Sequence, residues 1–362
     1  MKKEEIETLK STDFLKKNNY INRFDDVKSV KICGENDKKV FVSIVMPIYD
    51  HPLRCLKNAI ESALTQDSFD DYKVVIVDND ESGKNESVVL KFDSSKIVYY
   101  RNEKNIGLFG NWNRCVQLAN SEWITFLHSD DMLSNDFLKT MCKVVKEHPE
   151  IDQLACDYEI YNIDDNVDEV SLKSGTNHRY LKCTEVLAEE YHEAMVTSVK
   201  GALIKRDLML EIGGFKDKDD GPGLGDYIAM TKYAYYYHTY LLSGVFYYNG
   251  WGKNDSINVS IWYPELVSNY YMQLFFAEKA RFFSKKWKLY RAKSLLVKRA
   301  KEYAGGNSFV GKVVPIDWNE LKKDCELENL DINPITDFIV KVLNKIKNVI
   351  RLGKKCDFKV CK

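Results

Sequence analysis

Between residues 40 and 147 the chain alternates four times between a short apolar run and a stretch with helical spacing, and nothing else in it restricts the fold as much. The runs are Val40-Phe41-Val42-Ser43-Ile44-Val45-Met46, stopped at Pro47; Tyr72-Lys73-Val74-Val75-Ile76-Val77; Ile97-Val98-Tyr99-Tyr100; and Trp123-Ile124-Thr125-Phe126-Leu127. Their β-branched and aromatic side chains are those of strands. Leu53, Leu56, Ile60, Ala63 and Leu64 recur at helical spacing after the first run, and Phe137, Leu138, Met141, Val144 and Val145 after the fourth. Strands that alternate with helices over short connections form βαβ units, and such units build a parallel sheet flanked by helices.

Ligands of such sheets sit beyond the carboxyl ends of the strands. Three polar clusters follow strands here: Pro47–Asp50, Asp78–Glu81 and His128–Asp131. The third carries the sharpest chemistry. Asp130 and Asp131 are adjacent anions at the mouth of a buried run, where they repel each other and resist desolvation, so either a cation or a wet turn is expected there. A hard divalent cation takes oxygen ligands, one or two carboxylates together with substrate phosphates, and the pair suits that task. Taken alone, a solvated acidic turn is the simpler reading. Asp78 and Asn79 offer hydrogen-bonding groups to a base or ribose, or form an ordinary turn. Pro47 and Tyr49 supply a rigid turn and a ring able to stack on a base, or merely open the helix with His51-Pro52. No GxGxxG follows the first strand and no GxxxxGK[ST] occurs anywhere, which disfavours a dinucleotide site and a P-loop. A nucleoside diphosphate bound here would need a metal to hold its phosphates.

Composition excludes several classes. With 44% hydrophobic and 30% charged residues over 362 positions, the chain has material for one large core with an appendage, or for two. A formal net charge of −1 makes it no trap for nucleic acid, and no nucleic-acid partner is expected. The nine cysteines are scattered and form no CxxC, so buried thiols in a reducing cytosol are expected rather than a disulfide frame or a zinc site. The charged start, MKKEEIETLK, has no apolar core of a secretory signal, and no window is apolar enough to span a bilayer. A cytoplasmic protein is expected.

Five short motifs in order carry a resemblance: Ser43-Ile44-Val45-Met46-Pro47-Ile48-Tyr49, Val75-Ile76-Val77-Asp78-Asn79, Asn105-Ile106-Gly107-Leu108, Asn113, and Leu127-His128-Ser129-Asp130-Asp131. Over residues 41–250 the chain resembles family 2 glycosyltransferases. The resemblance implies a GT-A nucleotide-diphospho-sugar transferase fold, α/β, with a mostly parallel central sheet flanked by helices. It also implies a nucleotide-sugar donor, a UDP-sugar in the first place, transfer with inversion to a hydroxyl of a glycan or lipid-linked acceptor, and a divalent metal, Mn²⁺ or Mg²⁺. Carried over residue by residue, Pro47 and Tyr49 line the nucleoside pocket, Asp78 or Asn79 reads the base, Asn113 and Asp130 complete the donor site, and Asp131 ligates the metal. Gly213-Gly214-Phe215 resembles the turn before the acceptor-side helix, which makes Asp226 the catalytic base. Three positions depart from the family pattern: His128 where an acid is frequent, Gly225 where Glu usually precedes the base, and Trp112 where Arg is frequent. These departures leave open a protein of the same fold that only binds a sugar nucleotide or glycan.

The expected organisation is an N-terminal extension (1–39), the transferase domain (40–260) with an acidic, glycine-rich stretch at 217–227, a helical C-terminal region (261–335) and a tail (336–362). In the tail Phe338, Ile339, Val342, Leu343, Ile346, Val349 and Ile350 recur at helical spacing opposite Lys341, Lys345, Lys347 and Arg351. A basic amphipathic helix of this kind suits an anionic membrane surface, so peripheral attachment to the inner face of the membrane is expected; a helix packed on the enzyme with a wet basic face is the alternative.

Overall fold

The four apolar runs become the parallel centre of a single mixed sheet. The computed structural model describes residues 1–164, 181–186, 198–221, 225–252, 259–279, 282–306, 313–339, 342 and 357–358. In it the runs form β2 (Val40–Ile48), β3 (Tyr72–Asp78), β4 (Ile97–Asn102) and β5 (Ser121–Phe126), ordered β4-β3-β2-β5. Val45 stands in register with Val75 on one side and Phe126 on the other. Both faces of these strands are covered, and this is why their sequences run apolar instead of alternating. Val42, Ile44, Met46, Val74 and Ile76 share one core with α2 (Leu53–Leu64) and α5 (Phe137–Glu147). Val45, Val75, Val77, Ile124 and Phe126 share another with α4 (Leu108–Leu118), α6 (Arg206–Glu211) and α7 (Gly225–Tyr236). A short α3 (Glu86–Val89) follows β3.

Pro47 does not stop its strand. It pairs in register with Val77 of β3, but lies beyond Val45, the last residue of β2 paired with β5, so its missing N–H takes nothing from that ladder.

Outside the centre the sheet leaves the βαβ pattern. β1 (Ser29–Cys33), drawn from the polar segment before Val40, pairs antiparallel with β4. Beyond β5 the order runs through β9 (Ala202–Lys205), β7 (Gln153–Asn162), β10 (Thr239–Trp251), β8 (Leu181–Val186) and β11 (Asp357–Phe358), and only the β7–β10 pair there is parallel. The two-residue β6 (Met132–Leu133) pairs antiparallel with β10 just after the Asp130-Asp131 turn. Residues 186–210 read mostly helical by sequence; of these, 187–197 lie outside the described residues, 202–205 form β9, and only 206–210 fall in a helix, α6. Ala202, Leu203 and Ile204 are fully buried between β5 and β7; a strand that short leaves no periodicity to read.

A third core joins the two ends of the chain. Ile6 and Leu9 of α1 (Lys3–Ser11), with Phe14 and Leu15, pack with Trp262, Leu266, Tyr270 and Phe276 of α8 (Trp262–Glu278) and with Leu296 of α9 (Phe282–Ala304). The N-terminal amine pairs with Asp324 at 2.7 Å and Glu320 at 2.8 Å, both on α10 (Trp318–Asp324). Arg114 of α4 donates to the carbonyls of Phe24 and Val27 at 2.7 and 2.8 Å, fastening the N-terminal segment across the transferase sheet. Residues 1–39 are therefore built into both halves of the molecule. Of the aromatic residues of 264–300, Tyr270, Tyr271 and Phe276 are buried in this core. Of the basic tail, only 336–339, 342 and 357–358 fall among the described residues.

Candidate active site

The end of β5 brings two carboxylates into different surroundings. Asp131 is completely buried, and four donors converge on it: the Tyr247 hydroxyl at 2.6 Å, the Gly250 amide at 2.8 Å, the Lys200 ammonium at 3.1 Å and His128 Nδ1 at 3.2 Å. An ionised carboxylate only accepts, so the His128 contact requires the proton on Nδ1. Burial opposes ionisation of Asp131, but Lys200, His128 and Tyr247 outweigh it and hold its pKa at about 2. Asp130 goes the other way: burial first, then the charge of Asp131, push it above the usual carboxylate range. His51 lies beside it, with Nε2 at 3.9 Å from Asp130 Oδ2 and Nδ1 at 2.7 Å from Ser129 Oγ. The backbone of Asp130 accepts from the Tyr161 hydroxyl at 2.6 Å and lies so close to β10 that a Cβ on Gly250 would stand 1.9 Å from its carbonyl oxygen; only glycine fits there.

Asp226 is the second residue of α7 and accepts from the Tyr227 amide at 3.0 Å. Burial raises its pKa to about 6, against the opposing pull of that hydrogen bond and of Lys200. Glu265 of α8 faces it from the helical region; burial first, then the charge of Asp226, lift its carboxyl to about 7. Gly225 has a packing reason. A Cβ there would stand 2.0 Å from the Lys216 carbonyl oxygen, so a glutamate before Asp226 has no room.

The other expected site residues divide by exposure. Tyr49, just past β2, is half exposed, while Pro47 is buried beneath it. Asp78 is fully buried at the end of β3, accepting from the Tyr99 hydroxyl at 2.7 Å, the Asp80 amide at 2.8 Å and the Asn85 side chain at 3.1 Å, and burial raises its pKa. Asn79 has both ends of its amide engaged, donating to Asn105 at 2.6 Å and to the Gly107 carbonyl at 3.1 Å, and accepting from Asn102 at 3.0 Å and Ile106 at 3.1 Å. Asn113 clamps the Gly213-Gly214-Phe215 turn: it donates to the Phe215 carbonyl and accepts from the Phe215 amide, each at 2.8 Å. Trp112 packs against His128 with ring centroids 4.7 Å apart and the planes tilted by 31°.

Lys200, Tyr247 and Gly250 escaped the reading of the sequence. Tyr247 and Gly250 come from β10, and the only signal near Lys200 is a lysine two residues before the short apolar run of β9. Their presence bears on the expected metal. Asp131 Oδ2 already takes three donors, and no group of three or more His, Cys, Asp or Glu arranged to hold an ion occurs among the described residues. As arranged, this donor set does not fit a divalent ion on Asp131 unless Lys200 is displaced.

A parallel sheet with carboxylates at its carboxyl edge, an antiparallel flank and a helix presenting a partly buried aspartate is the GT-A fold of nucleotide-sugar transferases. Residues 43–213, just under half of the chain, match the family model described as Glycosyl transferase family 2. Over 180 residues the chain is 27% identical to an uncharacterized glycosyltransferase of Methanocaldococcus jannaschii, covering 48% of this chain and 60% of that one. Over 109 residues it is 32% identical to the GalNAc(5)-diNAcBac-PP-undecaprenol beta-1,3-glucosyltransferase of Campylobacter jejuni, covering 29% of this chain and 35% of that one. The matches thus span less than two thirds of these relatives' lengths. In fold, it is similar to S. aureus TarS residues 1–349 solved with UDP-GlcNAc, with a TM-score of 0.50 and 16% identity over 74% of this chain and 76% of that one.

Proposed function

We propose that the chain transfers a sugar from a nucleoside diphosphate sugar, UDP-linked in the first place, to a hydroxyl of a glycan or lipid-linked acceptor, with inversion. The observation that carries this is a pair of unlike acids that share one cation: Asp131, held ionised by Lys200 at 3.1 Å, and Asp226, which also feels Lys200 but is raised by burial to about 6, the range useful to a general base. Tyr49 stacks on the base, Pro47 shapes the pocket wall, and Asp130 lies at the ribose. Asp78 and Asn79 meet the base from a hydrogen-bonded floor, and Asn113 acts through the Phe215 turn. The acceptor oxygen attacks the anomeric carbon as the bond to the diphosphate breaks; the electron pair leaves with the nucleoside diphosphate and the acceptor proton goes to Asp226. Attack from the face opposite the leaving group gives inversion, and holding both partners in line supplies much of the acceleration. A lipid-linked acceptor is supported by the undecaprenyl-linked substrate in the name of the Campylobacter relative.

Residues 40–260 are taken as the catalytic unit, braced by 1–39 and 261–335. Release of nucleoside diphosphate from a panel of UDP-, GDP- and dTDP-sugars, with undecaprenyl-diphosphate-linked and free glycan acceptors, tests the reading. Turnover with one donor supports it. Donor binding with no release on any acceptor favours the protein that only binds, and no binding at all sinks both.

The membrane expectation rests on Ile335, Phe338, Ile339 and Val342, which are exposed at the start of the tail. No helix among the described residues is long and apolar enough to cross a bilayer. Attachment through an apolar stripe with lysines opposite it predicts co-sedimentation with phosphatidylglycerol vesicles, weakened by salt and lost when residues 336–362 are removed. Equal pelleting of the shortened chain would reject it.

A further inference from the structure

We propose that Lys200 is the cation of the donor site: its ammonium neutralises Asp131 and meets the leaving diphosphate, so that donor binding and sugar transfer need no divalent metal. This rests on the glycosyltransferase reading above and deepens it. Lys200 Nζ stands 3.1 Å from Asp131 Oδ2 and 2.6 Å from Asn249 Oδ1, two anchors that fix a flexible side chain in place. The pair is asymmetric in exposure. The Lys200 side chain is 24% exposed and that of Asp131 is 0%, so of the two only the lysine is open to a ligand from solvent.

The remaining contacts of Asp131 point the same way. Tyr247, Gly250 and His128 donate to it alongside Lys200, and a carboxylate with four donors has little capacity left for a metal. An ion entering there would also stand within a few ångströms of the ammonium, and two cations that close repel strongly in a partly desolvated site. A lysine serves a diphosphate as a point charge. In the reaction it stays protonated: the bond between the anomeric carbon and the diphosphate breaks, its electron pair remains on the phosphate oxygen beside Lys200, and the acceptor's proton goes to Asp226. The charge development that a Lewis acid would offset is met by a group the chain carries itself.

The test is calorimetric titration of UDP and GDP into wild type, Lys200→Met and the double variant Lys200→Met/Asp131→Asn, each in EDTA and in excess Mn²⁺. Mn²⁺ uptake is followed in parallel by electron paramagnetic resonance. Wild type is expected to bind one nucleotide with affinities agreeing within about twofold in the two media and to take up no Mn²⁺ with it. Lys200→Met should bind about 10–100-fold more weakly in EDTA and recover part of the loss in Mn²⁺, because Asp131 is then free to ligate. The double variant removes both charges together, which avoids stranding a buried anion, and should bind weakly in either medium. Wild-type binding that collapses in EDTA and returns with stoichiometric Mn²⁺ uptake would overturn the assignment, since the metal would then take the place of the lysine. Failure of both nucleotides in both media would instead overturn the glycosyltransferase reading on which the assignment stands.

Discussion

Asp226→Asn is expected to cut sugar transfer by about 10²–10⁴-fold while leaving donor affinity nearly unchanged, and to make the protein more stable above pH 6. The two effects have one cause. Burial lifts the folded-state pKa of Asp226 from 3.8 to about 6, so the folded chain holds its proton more tightly than the unfolded chain does. Below the unfolded value both states are protonated and no penalty exists. As pH rises through the folded value the unfolded chain ionises first, and stability is lost by about 2 kcal/mol after allowance for partial exposure. Asparagine cannot ionise and escapes that loss. The same burial makes the ionised form a competent base near neutral pH, so wild-type kcat/KM should rise with pH along a limb near 6. Glu265, Lys200 and Tyr227 face or contact Asp226, and Glu265, itself raised to about 7, moves that limb as it ionises. Rates with saturating acceptor, together with urea unfolding at pH 4 and pH 8, check both parts. Equal destabilisation at the two pH values with unimpaired transfer would make Asp226 a helix-terminus residue and nothing more.

How much of this was legible beforehand follows from which forces are local. The four central strands announce themselves because burial on both faces leaves uninterrupted apolar runs, and the parallel arrangement follows from the helices between them. The strand-end position of Asp130 and Asp131 was readable for the same reason. What surrounds Asp131 was not. Tyr247 and Gly250 arrive from β10 and Lys200 from two residues before β9, strands that are antiparallel to the centre or added by long connections, and spacing along the chain does not encode such pairings. Gly225 looked like a defect and is a packing requirement imposed by the Lys216 carbonyl, a contact no one-dimensional pattern contains. His128 likewise turns from a lost carboxylate into a hydrogen-bond donor to Asp131, and an acid there would set a second anion against it. The apolar residues of α1 were too few to distinguish a loose extension from a strap, although they seal the third core against α8.

Breaking the buried pair from the carboxylate side should have the largest effect on stability. Asp131→Asn is expected to cost about 3–5 kcal/mol at pH 7, because it leaves the Lys200 charge without its partner and forces an amide N–H toward donors that need an acceptor. The wild-type carboxylate, held at about 2 against 3.8 in the unfolded chain, contributes about 2 kcal/mol that is fully present above pH 4 and disappears as pH falls toward 2. The variant should therefore lose its disadvantage progressively over that same acidic window. A double-mutant cycle separates the pair from its surroundings: adding Lys200→Met to Asp131→Asn should recover part of the loss, since a neutral pair strands no charge. Urea midpoints at pH 7 and across the acid range measure all of this. A cost below about 0.5 kcal/mol would place Asp131 in a wet turn, where surface substitutions ordinarily fall. A large cost with no recovery in the double variant would assign the stabilisation to Tyr247, His128 and Gly250 rather than to Lys200.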